Sequence, residues 1–184
     1  FGIDSPVTVI QMLWVNIIMD TLGSLAFAGE PALEEYMTHP PIGRGEHILT
    51  RRMVWQIILT GGYAVALSMF FLLSKDLRHF FGGSETYYMT LFFAMFIFMG
   101  IGIAMCTRTE RINIFANISK NKAFAVIMPA VAAVQLLIIY FGGDVFRCVP
   151  LAPAELLMCS VFAFTVIPAD SIRKSVRAIA SRQK

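Results

Sequence analysis

Residues 7–28 read VTVIQMLWVNIIMDTLGSLAFA, and in these twenty-two positions Asp20 is the one Asp, Glu, Lys or Arg. A helix crosses the ~30 Å hydrocarbon core of a bilayer with about 20 predominantly apolar residues, and this stretch has that length and character. Four more windows of the same kind follow at about 53–74, 87–106, 123–142 and 154–169. Composition agrees: hydrophobic residues make up 57% of the 184-residue chain and charged residues 15%, against about 25% charged in a soluble domain. A globule of this length leaves too much of its surface in water to bury so many apolar side chains. With 13 Gly, 8 Pro and 3 Cys, collagen-like, low-complexity and disulfide-scaffold classes are excluded as well. No hydrogen-bonding water reaches the bilayer core, so each window must satisfy its own backbone as a helix. The fold class is an all-α membrane protein, a bundle of five transmembrane helices.

Lys and Arg set the orientation of such a bundle, because cytoplasmic loops carry their excess. Arg44, Arg51 and Arg52 lie in segment 29–52, and Arg108, Arg111, Lys120 and Lys122 lie in segment 107–122. Arg173, Lys174, Arg177, Arg182 and Lys184 fall in the basic tail 170–184. Those twelve share one side, while Lys75, Arg78 and Arg147 occupy the other. The twelve-cation side is read as cytoplasmic, with the N-terminus outside and the C-terminus inside, and no Lys or Arg falls within a window. The basic balance therefore has a topological explanation and calls for no nucleic-acid partner. An outside N-terminus without a signal peptide reads most simply as the C-terminal part of a longer polypeptide.

An ionisable group at bilayer depth costs roughly 2.5–3.5 kcal/mol on insertion scales and marks function by default. Of the 12 acids only Asp20 lies well inside a window, while Glu155 and Asp170 sit at the two ends of the last one, within reach of water. Asn16 precedes Asp20 by four positions, so the pair shares a helix face. A carboxylate and an amide carbonyl are hard oxygen donors of the kind Ca²⁺ takes. A proton-relaying Asp and a structurally paired Asp meet the same description. Gly23, Ser24 and Ala28 continue near that face and would admit a close neighbour. Ca²⁺ wants 6–8 oxygens, which two side chains do not supply, and Mn²⁺ accepts the same donors.

The remaining polar groups of the windows, Gln56, Thr60, Ser68, Thr90, Gln135, Ser160 and Thr165, read as interhelical hydrogen-bond glue. Gly62/Ala66 and Gly100/Ala104 are small pairs at packing spacing. Pro129 sits where it would kink the fourth span, and Pro168 where it would end the fifth. Trp14 and Trp55 read as packing or interface residues. Cys106, Cys148 and Cys159 form no metal or disulfide framework, and His39, His47 and His79 are not spaced as ligands.

The residues Asp4-Ser5-Pro6, then Gln11 through Thr21, Ser24-Leu25-Ala26, Glu30-Pro31 and Pro41-Ile42-Gly43-Arg44 carry a specific resemblance. Asn113-Ile114-Phe115 and Phe141-Gly142-Gly143, with Cys148 and Pro150, extend it along essentially the whole chain. The sequence resembles the C-terminal transmembrane domain of P-type calcium-transporting ATPases of the plasma-membrane type, so that residues 1–184 correspond to that domain's sixth to tenth helices. The resemblance implies that Asn16 and Asp20 are metal ligands for transported Ca²⁺, together with a Glu on a helix outside this chain. Met19 stands where pumps of the sarcoplasmic-reticulum type carry a ligating Thr, which implies one Ca²⁺ per cycle. The third span departs from animal plasma-membrane pumps, with Gly100, Ile103 and Ala104 where those carry Gln, Asn and Glu.

The same resemblance places ATP, Mg²⁺ and the phosphorylated aspartate of an Asp-Lys-Thr-Gly-Thr motif in domains outside this sequence. No catalytic residue is assigned here, and the fragment cannot pump alone. Its implied partners are the N-terminal helices and cytoplasmic domains of the same pump and the lipid bilayer. Its implied location is a plasma membrane or bacterial inner membrane. Segment 30–52 is expected to couple the phosphorylation domain to the ion site. A fragment of a proton- or other cation-coupled transporter, with Asp20 titrating, and a non-catalytic membrane interaction subunit are the alternatives.

Overall fold

The computed structural model describes residues 7–31, 49–109 and 111–182, without the side chains of 19, 20, 51, 52, 178 and 180–182. The proline-rich segment 32–48 and residues 1–6 lie outside the described residues. Helix starts are set by short polar side chains that accept from an otherwise orphaned N–H of the first turn. Thr8, Thr50, Ser74, Ser84 and Asn121 each cap a helix in this way. The first span is α1 (Val9–Asn16), a π-helical segment (Ile17–Gly23) and α2 (Ser24–Ala28). The second is α3 (Arg51–Leu73), followed by a short α4 (Lys75–Phe81). Next come α5 (Glu85–Arg108), a 3₁₀ turn (Ile118–Lys120), α6 (Lys122–Phe141), a single turn α7 (Gly143–Phe146), α8 (Pro153–Phe164) and α9 (Val166–Arg182).

Five helices are long and apolar enough to cross a membrane: Val9–Ala28, Met53–Leu73, Glu85–Arg108, Lys122–Phe141 and Pro153–Arg177. The described residues contain no strand. Two stretches expected to be loops hold the short helices α4 and α7. Positive φ at Gly82 (+58°) and Gly83 (+77°), a backbone region that glycine enters without penalty, turns the chain from α4 into α5.

The third span, α5, is the hub. Two thirds of its apolar window (67%) is buried, against 6% for α3, so α5 is read as internal and α3 as peripheral to this bundle. It packs along α8 and also touches α3, α6 and α9. Phe71 stacks on Tyr88 at 4.9 Å between ring centres and also meets Phe81 and Phe92. The Tyr88 hydroxyl donates to the Phe71 carbonyl. Gly102 admits the chain between α8 and α9, since a Cβ there would stand 2.8 Å from Val166 Cγ1. Gly62 and the exposed Ala66, by contrast, approach no described helix.

Cross-helix bonds reveal the alternation of the spans. At one end Gln11 donates to the Phe146 carbonyl (2.8 Å), Val149 N–H to Thr90 Oγ1 (3.3 Å) and the Tyr87 hydroxyl to Glu155. At the other, Glu30 accepts from Arg108 (3.1 Å) and Asn121 (2.7 Å), and Lys174 donates to the Cys106 carbonyl (2.8 Å).

Three expectations about the margins change. Asp170 is not reached by water: it is 5% exposed, paired with Arg173 (2.7 Å) and Lys174 (2.8 Å) three and four positions on. Cations do enter the spans: the Arg108 and Lys174 side chains are 1% and 2% exposed. Both lie past the apolar windows, where α5 and α9 continue, and both hydrogen-bond carbonyls at or beyond the end of α5, the end at which a helix dipole favours positive charge. Pro168 does not end the fifth span. It falls in the first turn of α9, where its missing N–H is not needed. The helix instead breaks three residues earlier at Thr165, whose N–H reaches back to Phe162. The basic tail therefore continues as helix through Arg182.

Two stability consequences follow for the full-length protein. Gly102→Ala should cost about 1–3 kcal/mol by overpacking against a branched neighbour. Gly61→Ala, which meets open space, should be neutral or stabilising by up to about 1 kcal/mol. Equal thermal midpoints for the two variants would contradict this packing. Glu30→Gln leaves the buried Arg108 guanidinium without its carboxylate; since Glu30 is itself partly exposed, the cost should fall near 2 kcal/mol rather than the larger penalty of a fully buried pair. A thermal scan with an unshifted midpoint would argue against the pairing.

Candidate ion-binding segment in the first span

The rotation of the first span is fixed by two polar side chains on its buried face. Thr8 and Gln11 form a capping box: Gln11 N–H donates to Thr8 Oγ1 (3.2 Å) and Thr8 N–H to Gln11 Oε1 (2.8 Å). The Gln11 amide then reaches the Phe146 carbonyl and Cys148 Sγ. Burial pushes the Cys148 thiol pKa up, and the hydrogen bond from Gln11 opposes that rise. One helical turn further, Trp14 Nε1 donates to Gln135 Oε1 (3.2 Å) on α6. Nothing in the residue pattern separates Gln11 from the other polar positions as an anchor, because its partner is the carbonyl at the end of α7, 135 residues away.

With Gln11, Val15, Ile18, Gly23 and Ala26 turned inward, Met12, Asn16, Thr21 and Ser24 are exposed on the other side. Gly23 thus does not extend the Asn16 face as expected. It is buried, while Ser24 and Ala28 are exposed. Asn16 ends α1 in ordinary α geometry (φ −63°, ψ −42°). From Ile17 to Gly23 the backbone is π-helical, so pairing lengthens from i→i+4 to i→i+5. Ser24 N–H then returns to the Thr21 carbonyl. Asp20 belongs to the segment by its backbone, and its side chain lies outside the described residues. Wide turns of this kind concentrate at functional sites.

Behind the π segment is an apolar cavity of about 140 Å³ between the first span and α5. Val15, Ile18 and Gly23 form one wall, and Gly100, Ile103 and Ala104 the other. Thr107 is the sole polar side chain on it among the described residues. The α5 face thus offers the π segment no carboxylate or amide. Among the described residues no three His, Cys, Asp or Glu side chains converge as a metal cluster.

Three of the seven scattered polar groups, Thr90, Gln135 and Thr165, act as glue between segments, whereas Ser160 bonds within its own helix. Thr90 accepts from Val149 N–H, Gln135 from Trp14, and Thr165 from the Tyr63 hydroxyl (2.9 Å), while Ser160 donates to the Leu156 carbonyl. None of them is brought to Asn16. Gln56 and Thr60 instead line a groove between α3 and α9.

Comparison with known proteins bears on the whole chain. Residues 4–176 match the family model described as cation transporting ATPase, C-terminus. A probable plasma-membrane-type calcium-transporting ATPase of Oryza sativa subsp. japonica is 38% identical over 161 residues, 85% of this chain and 16% of its own length. A putative plasma-membrane-type calcium-transporting ATPase of Arabidopsis thaliana is 35% identical, covering 84% of this chain and 15% of its own length. A plasma membrane calcium-transporting ATPase of Homo sapiens is 32% identical, covering 85% and 14%. The chain spans about one sixth of the length of these relatives. Five apolar helices and a family match over residues 4–176 agree: this chain belongs to the C-terminal membrane-domain family of the P-type cation-transporting ATPases.

Proposed function

We propose that the chain forms the C-terminal membrane portion of an ATP-driven Ca²⁺ pump, in which Asn16 and Asp20 supply oxygen ligands to the transported ion. The observation that carries this reading is the π-helical segment Ile17–Gly23, which opens the backbone at Asp20 while Asn16 faces away from the described bundle. One amide oxygen and up to two carboxylate oxygens make a hard-donor set suited to Ca²⁺. They form one side of a coordination shell, and the rest comes from helices outside this chain. The apolar α5 wall at Gly100, Ile103 and Ala104 favours a single ion per cycle. ATP, Mg²⁺ and the phosphorylated aspartate belong to the cytoplasmic domains of the same pump.

The end that holds Glu30, Arg108, Asn121 and Lys174 is placed in the cytoplasm of a plasma membrane, in keeping with the excess of Lys and Arg there. On this reading segment 32–48 connects the ion-binding span to the phosphorylation domain. The Glu30–Arg108–Asn121 node holds its first anchor point against α5 and α6.

The test is Ca²⁺-dependent phosphoenzyme formation by the full-length protein. Asp20→Asn should lose it. Asn16→Ala should raise the Ca²⁺ requirement at least about tenfold, equivalent to ~1.4 kcal/mol of binding, and leave the thermal midpoint nearly unchanged, since Asn16 is exposed here. Unaltered Ca²⁺ affinity in Asp20→Asn would defeat the ligand assignment, and transport that persists under Ca²⁺ chelation but follows pH would favour a titrating Asp20. Deleting residues 32–48 should abolish transport. Intact Ca²⁺-dependent ATP hydrolysis in that deletion would refute the coupling role.

A further inference from the structure

The buried stripe of α6, starting at its cap, runs Asn121, Phe124, Met128, Val131, Gln135 and Ile138. Alternating steps of three and four keep one face of a helix turned inward. Four of these side chains are apolar, while Asn121 and Gln135 are polar and 0% exposed. Along α6 the contacts step back along the first span. Asn121 Nδ2 donates to the Ala26 carbonyl (3.0 Å) and to Glu30 (2.7 Å). The Phe124 ring meets Phe27 edge-on, 5.8 Å between ring centres. Met128 lines the cavity behind the π segment with Val15, Ile18 and Gly23. Gln135 Oε1 accepts from the Trp14 indole (3.2 Å). The two polar contacts thus reach the first span three residues after the π segment, at Ala26, and three residues before it, at Trp14.

Apolar contact is not directional, so Phe124 and Met128 by themselves let the span slide or turn against α6. A hydrogen bond is directional, and inside a bilayer no water competes for it. One residue of slip is ~1.5 Å of rise and ~100° of rotation, whereas a working site tolerates about 0.5 Å and 10–20°. Gln11 secures the outer start of the span on α7, and among the described residues α6 is the element that grips it on both sides of the π segment. Asn121 has no slack, because its Oδ1 caps α6 by accepting from Phe124 N–H (2.9 Å). Gly29 admits the span so closely that a Cβ there would stand 2.8 Å from that oxygen. Gln135 must keep Oε1 toward the indole, since its amide nitrogen is a donor only. Its Nε2 is then buried with no hydrogen-bond partner among the described residues, which is costly. An apolar side chain of similar size would pack there without that cost, and what it would lack is the grip on Trp14.

We propose that Asn121 and Gln135 are positioning residues for ion binding, given Asn16 and Asp20 as the ligands. They hold the backbone that bears both ligands from either side, at the axial position and rotation in which the ion is bound. Neither touches the ion.

In the full-length protein, phosphoenzyme formed from ATP is to be measured across a Ca²⁺ series, with a thermal scan of each variant. Gln135→Met removes the acceptor of Trp14 and the unmade donor together, so its thermal midpoint should stay near that of the parent. The Ca²⁺ needed for half-maximal phosphoenzyme should nevertheless rise at least about fivefold, the low end of coupling between sites. Gly29→Ala pushes the span off Asn121 Oδ1 and should raise the requirement likewise. Both variants should keep the phosphoenzyme level at saturating Ca²⁺, which a merely structural loss would lower. Tyr88→Phe removes a buried bond between α5 and α3 that does not touch the first span. It should lower the midpoint and leave the Ca²⁺ requirement unchanged. An unchanged requirement in Gln135→Met or in Gly29→Ala, beside a lost Ca²⁺ response in Asp20→Asn, overturns the positioning role alone. A shift in Tyr88→Phe as large as theirs also overturns it, because any loosening of the bundle would then act. Unaltered Ca²⁺ affinity in Asp20→Asn overturns the ligand assignment and the positioning role together.

Discussion

In a hydrocarbon slab each backbone N–H and C=O must find its partner within the helix that bears it, at a cost of several kcal/mol for every failure. The five long helices obey this rule nearly throughout. At Ile17–Gly23 the first span keeps to it through the wider π pairing, in a stretch that also contains the one acid well inside an apolar window. So uncommon a pairing is kept where surrounding structure holds it. Here Gln11 and Trp14 clamp the turns before it, and the Glu30–Asn121–Ala26 bonds clamp the turns after it. The π segment is therefore held at both ends by α6 and its loops.

The second economy of the bundle is the placement of buried charge. Arg108 and Lys174 are almost fully enclosed, yet each meets a carboxylate and at least one carbonyl, Arg108 with Glu30 and Lys174 with Asp170. Both gather where α5 ends, so the most buried helix is fastened at that end by the Arg108–Glu30 pair just beyond α2 and by the Lys174 ammonium of α9 on the Cys106 carbonyl. Burying charge in this way is weak evidence for stability but fixes a single arrangement when every partner is present. At the opposite end the contacts are mostly neutral hydrogen bonds through Gln11, Thr90 and Tyr87. The bundle is thus more strongly charged at the end from which segment 32–48 leaves the first span.

The number of spans is legible in the sequence because a window of ~20 apolar residues has few other uses, and the cap residues Thr8, Thr50, Ser74 and Ser84 stand where helices begin. Asp20 is legible as the lone acid of its window, and Asn16 as its neighbour four positions before. The π pairing is not legible, since the step of a backbone hydrogen bond has no side-chain signature in these residues. Asp170 is misread because window hydropathy treats an acid near a span end as wet. The cations that dry it, Arg173 and Lys174, stand in plain view, but their effect depends on α9 continuing as helix. Pro168 misleads for the same reason: a proline ends the helix before it and opens the one that contains it, and residue order alone does not say which role dominates.

On the proposed reading, the geometry constrains how the ion shell is completed. Ca²⁺ takes 6–8 oxygens, and the side chains of Asn16 and Asp20 carry three between them. The α5 wall behind them is apolar except for Thr107, and small residues there leave a cavity where longer polar side chains would reach the π segment. Water in that cavity would need two to four polar partners, which its lining does not offer. The remaining donors must then come from the exposed side to which Asn16 turns. The site is one-sided by construction: α5 closes it with hydrocarbon, and the ion meets its other ligands on the face directed away from this bundle.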